Sequence, residues 1–149
     1  MTVEIDSRSK GSYVLLVELP RSCRIQVGAL GELEFPRGFY AYVGSAMGGL
    51  RGRLRRHLRR NKRLRWHIDY LLSEATLRAL IFASMPERLE CLLAQRLNRS
   101  FSSFAGFGAG DCSCQSHLFY SPRYTTLERA AEKIFTRLLV VSKPIVHRL

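Results

Sequence analysis

Short apolar runs separated by polar, proline and glycine breaks set out the elements of this chain. Gly11 to Leu19, Gly-Ser-Tyr-Val-Leu-Leu-Val-Glu-Leu, reads as a buried strand stopped by Pro20. Arg24 to Val27 and Leu33 to Phe35 predict a short strand pair joined through Gly28-Ala-Leu-Gly31, and Gly38 to Gly44 predicts an aromatic-rich strand. Leu50, Leu54 and Leu58 recur every four residues, so the basic segment around them is expected to be a helix with one apolar stripe. A second helix is expected over Trp66 to Leu72 and a strand over Leu77 to Ala83. Ser84-Met-Pro-Glu87 has capping-box spacing and predicts a helix through Asn98. Ser100 to Cys114 reads as a loop and His117 to Tyr120 as an edge strand. Thr125 to Leu139 reads as an amphipathic helix with Thr125 and Glu128 at cap spacing. Together these make an α/β (α+β) domain, a small and mainly antiparallel sheet flanked by helices.

At 149 residues and without repeats the chain is the size of a single domain. Its motif core covers 11–99, with a Cys/His loop and C-terminal helix over 100–149. The longest apolar runs, such as Val14 to Val17 and Leu138 to Val141, fall far short of the ~20 residues of a membrane span. The start, Met1-Thr-Val-Glu-Ile-Asp6, lacks the basic and apolar regions of a secretory signal. A cytoplasmic protein with reduced or metal-bound cysteines and no membrane partner is the expectation. Charge changes the picture more. Lys and Arg number 24 against 12 Asp and Glu, a net +12, and nine of the basic residues lie between Arg51 and Arg65 with no acidic residue among them. The remainder of the chain is close to neutral. A local basic patch on such a protein is the footprint of a polyanion, above all nucleic acid.

On a helix of roughly 100° per residue, placing Arg53 at 0° puts His57 at ~40°, Arg60 at ~−20° and the leucine stripe at ~60–140°. Arg53 and His57 are then expected at the margin of the buried face, with Arg55, Arg59 and Lys62 toward solvent. In the helix predicted after Pro86, Glu90 falls between Leu97 and Ala94 on the apolar face, so a carboxylate points inward and needs a cation beside it, an arginine or a divalent metal. Taken singly, these residues have ordinary readings: a solvated basic face, a structural ion pair, and strand tyrosines at Tyr13 and Tyr42 that pack with one satisfied hydroxyl. Cys112, Cys114 and His117 form Cys-x-Cys-x-x-His, and Cys91 is a candidate fourth ligand because its helix leads into that loop. Structural zinc sites favour paired Cys-x-x-Cys spacing, so reduced packed thiols with Asp111 capping the loop stand as the reading, and zinc as the alternative. Trp66 and His67 are expected at core and margin, with His67 a candidate substrate contact.

Gly11-Ser-Tyr13, then Tyr42-Val-Gly44-Ser-Ala, then Arg53-x-x-x-His57, then a helical Glu90 resembles the GIY-YIG nuclease superfamily. Val27-Gly-Ala-Leu-Gly31, Phe35-Pro-x-Gly38-x-Tyr-x-Tyr-Val-Gly-Ser-Ala46, Trp66-His-Ile-Asp-Tyr-Leu71 and Gly106-Phe-Gly-x-x-Asp-Cys-x-Cys-x-Ser-His-Leu118 are similar to its branch of small prokaryotic domains, some of them fused to endonuclease III. The resemblance runs from Gly11 to Tyr120. It implies a catalytic set of Tyr13, Tyr42, Arg53, His57 and Glu90. In that set Arg53 contacts the scissile phosphate, Glu90 holds Mg²⁺ or Mn²⁺, and Tyr13 acts as base with Tyr42 assisting. Tyr13 needs a neighbouring positive charge for that role, since a phenol ordinarily titrates near ~10. The first motif reads Gly-Ser-Tyr instead of Gly-Ile-Tyr, and 28 residues separate Tyr13 from Tyr42, an insertion expected to add the hairpin around Gly28 to Gly31.

The leading expectation is a divalent-metal-dependent endonuclease or nicking enzyme that hydrolyses DNA phosphodiesters, in repair or recombination and beside a repair partner. Arg55, Arg56, Arg59, Arg60, Lys62, Arg63, Arg65 and His67 are expected to hold the nucleic acid. A non-catalytic DNA- or RNA-binding module of the same fold and a zinc-stabilised interaction domain are the competing readings.

Overall fold

Apolar on both faces, β1 (Gly11–Leu19) takes the centre of the sheet in the computed structural model, which describes residues 5–110, 112–140 and 142–149. After Pro20, β2 (Cys23–Gln26) and β3 (Glu32–Phe35) form a separate two-stranded ribbon around a tight turn at Gly28–Leu30. β4 (Gly38–Ala46) returns antiparallel along the whole of β1. Helices α1 (Leu50–Leu58) and α2 (His67–Leu72) follow, then β5 (Thr76–Ser84) on the other side of β1. α3 (Glu90–Leu97), β6 (Ser102–Ser103), β7 (Leu118–Ser121), α4 (Tyr124–Leu138) and β8 (Ile145–Arg148) complete the chain. The main sheet runs β6-β7-β4-β1-β5-β8, with antiparallel neighbours throughout. Among the described residues no helix is long and apolar enough to cross a membrane.

The strand period of two divides the core into halves. Tyr13, Leu15, Val17 and Leu19 face Leu50 and Leu54 of α1 and Ile68 and Leu71 of α2. Val14 and Leu16 face Leu93, Ala94 and Leu97 of α3 and Leu127, Ala131 and Phe135 of α4. The result is a three-layer α+β domain. Gly44 pairs with Tyr13 in the β1/β4 register, and a Cβ there would stand 2.5 Å from the phenol oxygen, so only glycine leaves room for that ring.

Several boundaries differ from the pattern reading. α1 stops at Leu58, where the Lys62 ammonium donates to the carbonyls of Arg56 (3.1 Å) and His57 (3.0 Å) and so caps the helix C-terminus. The helical phases of Arg60 and Lys62 therefore do not apply, and Lys62 does not point to solvent. Ser84 ends β5 instead of opening a helix. α3 begins at Glu90, and the backbone N–H of Leu89 before it is satisfied by the Ser12 hydroxyl of β1 at 3.0 Å. Thr125 lies inside α4 and caps nothing. Glu128 accepts from the Tyr124 hydroxyl (2.6 Å) and from Arg148 (2.8 Å). β7 is not an edge strand, because two-residue β6 lies outside it, and β8 had no counterpart in the pattern reading. Asp111, expected to cap the cysteine loop, lies outside the described residues.

Candidate nucleic-acid interface and metal cluster

Tyr42 from β4, Arg53 from α1, His67 from α2 and Glu90 from α3 line one cleft of about 470 Å³, together with Arg65, Trp66, Arg88, Gly108, Cys112 and His117. Four of the residues singled out from sequence, drawn from four different elements, are thus brought together. Trp66 is the organising surface: the guanidinium carbons of Arg56, Arg53 and Arg65 lie 4.0, 4.5 and 5.8 Å from its ring centroid, and His57 packs against it at 5.8 Å. Arg53 also donates to the Ser45 carbonyl at 3.3 Å, which holds it over the end of β4.

Glu90 is partly exposed and has two neighbours of opposite kind, the Arg88 guanidinium at 3.7 Å and the His117 imidazole at 3.9 Å, whose pKa burial lowers. Its place at the start of α3 is set by Ser12, whose buried hydroxyl bonds Ser45 (2.7 Å) and accepts from the Leu89 N–H. The serine that departs from the Gly-Ile-Tyr pattern therefore seats the helix carrying Glu90. No local sequence signal marks Ser12, because its partners lie 33 and 77 residues away. His67 accepts a hydrogen bond at Nδ1 from the Gly108 N–H (2.8 Å), so the neutral ring carries its proton on Nε2. Gly108 has φ +69°, and a Cβ there would stand 2.8 Å from the Tyr42 ring.

Tyr13 does not line the cleft. Its hydroxyl is buried against His57 Nε2 at 2.8 Å, and His57, expected at the helix margin, is itself buried. Burial pushes the Tyr13 phenol up to about 12, and the nearby Arg53 only partly opposes this. The Tyr42 phenol is raised well above its ordinary value by burial and by Tyr13. Burial, reinforced by Lys62, lowers His57 to about 3. At neutral pH the pair is an uncharged tyrosine and an uncharged histidine, and proton transfer between them is steeply uphill. The positive neighbour that Tyr13 needs is present, but burial outweighs it.

His57 makes a stability prediction. Its folded pKa lies below its unfolded value of about 6.5, so the unfolded chain takes up the proton first; stability is present above pH ~6.5 and lost as pH falls toward 3. The loss from this residue at pH 4 is on the order of 3 kcal/mol. Burial lowers His67 and His117 as well, with the same sign. Urea unfolding of His57→Gln at pH 4 and pH 7 should show a clearly flatter pH dependence than the parent; equal slopes would exclude His57 as the source.

Of the expected nucleic-acid face, Arg55, Arg59, Arg60, Arg63 and Arg65 are exposed. Arg56 is not free for it. Its guanidinium forms a two-pronged pair with the buried Asp69 carboxylate (2.9 and 2.8 Å) and lies over Trp66. Arg56 and Lys62 thus build the α1–α2 corner that presents the others.

Cys91 at the start of α3 meets Cys112, Cys114 and His117, and the four ligand atoms lie within 4.8 Å of one another, so the cluster can hold a metal ion. Cys112 Sγ is 3.4 Å from His117 Nε2, close to the ~3.6 Å that two such ligands span on a tetrahedral zinc. The cysteines are free thiols, half-buried, and burial with the neighbouring Cys91 and Cys112 pushes Cys114 up to about 12. Cys91, the candidate fourth ligand, is brought by the fold to the other three, which is the arrangement the metal reading requires.

An α+β domain with a tryptophan-centred basic cleft and a cysteine/histidine cluster in its wall is the class that the fold and site define. The chain belongs to the family described as domain of unknown function DUF123, whose model matches residues 12–140. No curated protein and no solved structure matches it.

Proposed function

We propose that the cleft binds nucleic acid, DNA in the first instance, and hydrolyses its phosphodiester bonds as a divalent-metal-dependent endonuclease of GIY-YIG type. The observation that carries this reading is the convergence of Tyr42, Arg53 and Glu90 from three separate elements on one cleft lined by Arg65 and Arg88. In this mechanism Arg53, held against Trp66, and Arg65 hold the phosphate. His67 Nε2–H and the Tyr42 hydroxyl donate to phosphoryl oxygens or to the attacking water. With phenols this far above neutrality, Tyr42 acts as a donor and Tyr13 as the packed support of His57, neither as a resting-state base. Glu90, among the described residues the only carboxylate lining the cleft, fits Mg²⁺ or Mn²⁺ as a single protein ligand completed by water and the substrate's own oxygens. When bound, that ion supplies neutralisation of developing charge and an acidified water. For the cysteine cluster, three thiolates and an imidazole suit zinc and not magnesium. Free thiols and a DNA substrate suit a cytoplasmic site of action, beside a repair partner.

The test is a screen of the full chain on single-stranded, duplex, flap and junction DNA and on RNA, with Mg²⁺ or Mn²⁺ added, followed by gel and by fluorescence of Trp66, the single tryptophan. Binding to duplex DNA should weaken with salt at a log–log slope of about −0.9 per phosphate contacted. Salt-independent binding would remove the basic face from the reading. Salt-dependent binding without cleavage of any substrate would select the non-catalytic module, which the single carboxylate and the buried Tyr13 favour.

A further inference from the structure

We infer that a zinc ion held by Cys91, Cys112, Cys114 and His117 fixes Glu90 in the cleft through His117, with Glu90 as the carboxylate partner of a metal-bound imidazole. The inference rests on the zinc reading of the cluster given above.

The two nitrogens of His117 face two different groups. Nε2 lies 3.4 Å from Cys112 Sγ, inside the cluster, and Nδ1 lies 3.9 Å from Glu90 Oε2, toward the cleft. A neutral imidazole that gives Nε2 to a metal keeps its proton on Nδ1, and metal-bound histidines commonly donate that proton to a carboxylate, which orients the ring and raises its basicity. A rotation of the Glu90 carboxylate closes the remaining gap to a hydrogen bond. Glu90 and Cys91 are consecutive at the head of α3, so carboxylate and ligand are carried by the same turn.

Charge supports the arrangement. Three thiolates on Zn²⁺ leave a net single negative charge beside Glu90, and Arg88 at 3.7 Å, with Arg53 and Arg65 in the same cleft, offsets it. The ligand loop is also the cleft wall. Cys112 and His117 line the cleft, and Gly108 in the same loop holds His67 through its N–H. Zinc at the cluster therefore sets two groups that face substrate, Glu90 through His117 and His67 through Gly108. Glu90 acts here as a positioning residue for the imidazole, and its other oxygen lies 3.7 Å from the Arg88 guanidinium.

The experiment measures zinc content and zinc affinity of the full chain by competition with a chromophoric chelator, for the parent, Cys112→Ser, Glu90→Gln and Glu87→Gln. Glu87→Gln removes the same charge from an exposed position just before α3. The parent should retain about one zinc per chain, and Cys112→Ser should retain none. Glu90→Gln should still bind zinc, weakened about 10–100-fold, while Glu87→Gln binds as the parent does. Imidazole NMR of the zinc-loaded parent, which needs no variant to fold, should show His117 metal-bound at Nε2 with a slowly exchanging Nδ1–H, and Glu90→Gln should move that resonance. A parent without zinc overturns the zinc reading and the relay with it. Unchanged zinc affinity and an unmoved Nδ1–H in Glu90→Gln, or metal at Nδ1, overturns the relay and leaves the zinc reading standing.

Discussion

Arg53→Ala and Glu90→Gln are each expected to lower divalent-metal-dependent cleavage by about 10²–10³-fold, the usual cost of removing one electrostatic contact to a transition state. Nucleic-acid affinity should change little, because Arg55, Arg59, Arg60, Arg63 and Arg65 remain exposed. Arg53 is held by the Ser45 carbonyl and the Trp66 face, so its removal takes away a placed fork of donors and not a swinging surface charge. Arg53→Lys keeps the charge without the fork and should recover affinity more fully than rate. Glu90→Gln is assayed at saturating zinc, so that any weakening at the cysteine cluster is separated from loss of the cleft carboxylate. Single-turnover cleavage and equilibrium binding, measured in parallel, decide the matter: variants that cut as fast as the parent place the chemistry elsewhere.

What could be read in advance follows from how local each cause is. β1, β4 and β5 were legible because apolar runs between glycine and proline breaks are local signals, and β8 was not, because Ile145–Arg148 is short and half-exposed at a sheet edge. The inward phase of Glu90 was legible from the leucines of its own helix, whereas the residue that seats this helix, Ser12, acts across the sheet. The end of α1 was illegible for the same reason. Basic residues and a leucine continue through Leu64 and Arg65 with neither proline nor glycine between them, and the stop comes from Lys62 and from Asp69 in the next helix. Tyr13 shows a further limit. Strand alternation assigns its face, but the depth that raises its phenol depends on Gly44 and His57, brought against it from other elements. Cys91 joins its cluster only in three dimensions, which is why spacing alone ranked zinc below packed thiols.

Asp69 carries the largest expected effect on stability. Its carboxylate is fully buried and accepts four hydrogen bonds, two from the Arg56 guanidinium (2.9 and 2.8 Å) and one each from the backbone N–H groups of Arg65 and Trp66 (both 2.9 Å). Burial alone would raise its pKa, but Arg56 and the two N–H groups outweigh that and hold it below the usual carboxylate range. Asp69→Ala leaves a largely buried guanidinium and two backbone donors without their acceptor, and breaking such a pair from one side costs about 3–5 kcal/mol. That is a large share of the ~5–15 kcal/mol by which a domain is stable. Urea unfolding at neutral pH should show the loss, and a decrease under about 1 kcal/mol would exclude the pair as the tie between α1 and α2. The pH dependence has a definite sign. A lowered carboxylate pKa gives stability that is present above the ordinary carboxylate range and is lost as pH falls through the folded value, so the variant should lose part of the parent's acid-sensitive limb. The cleft should respond together with the fold. Asp69 draws in the N–H of Trp66 and the guanidinium lying over its ring, so in the folded variant the fluorescence of Trp66 should shift toward that of a solvated indole and nucleic-acid affinity should fall with it.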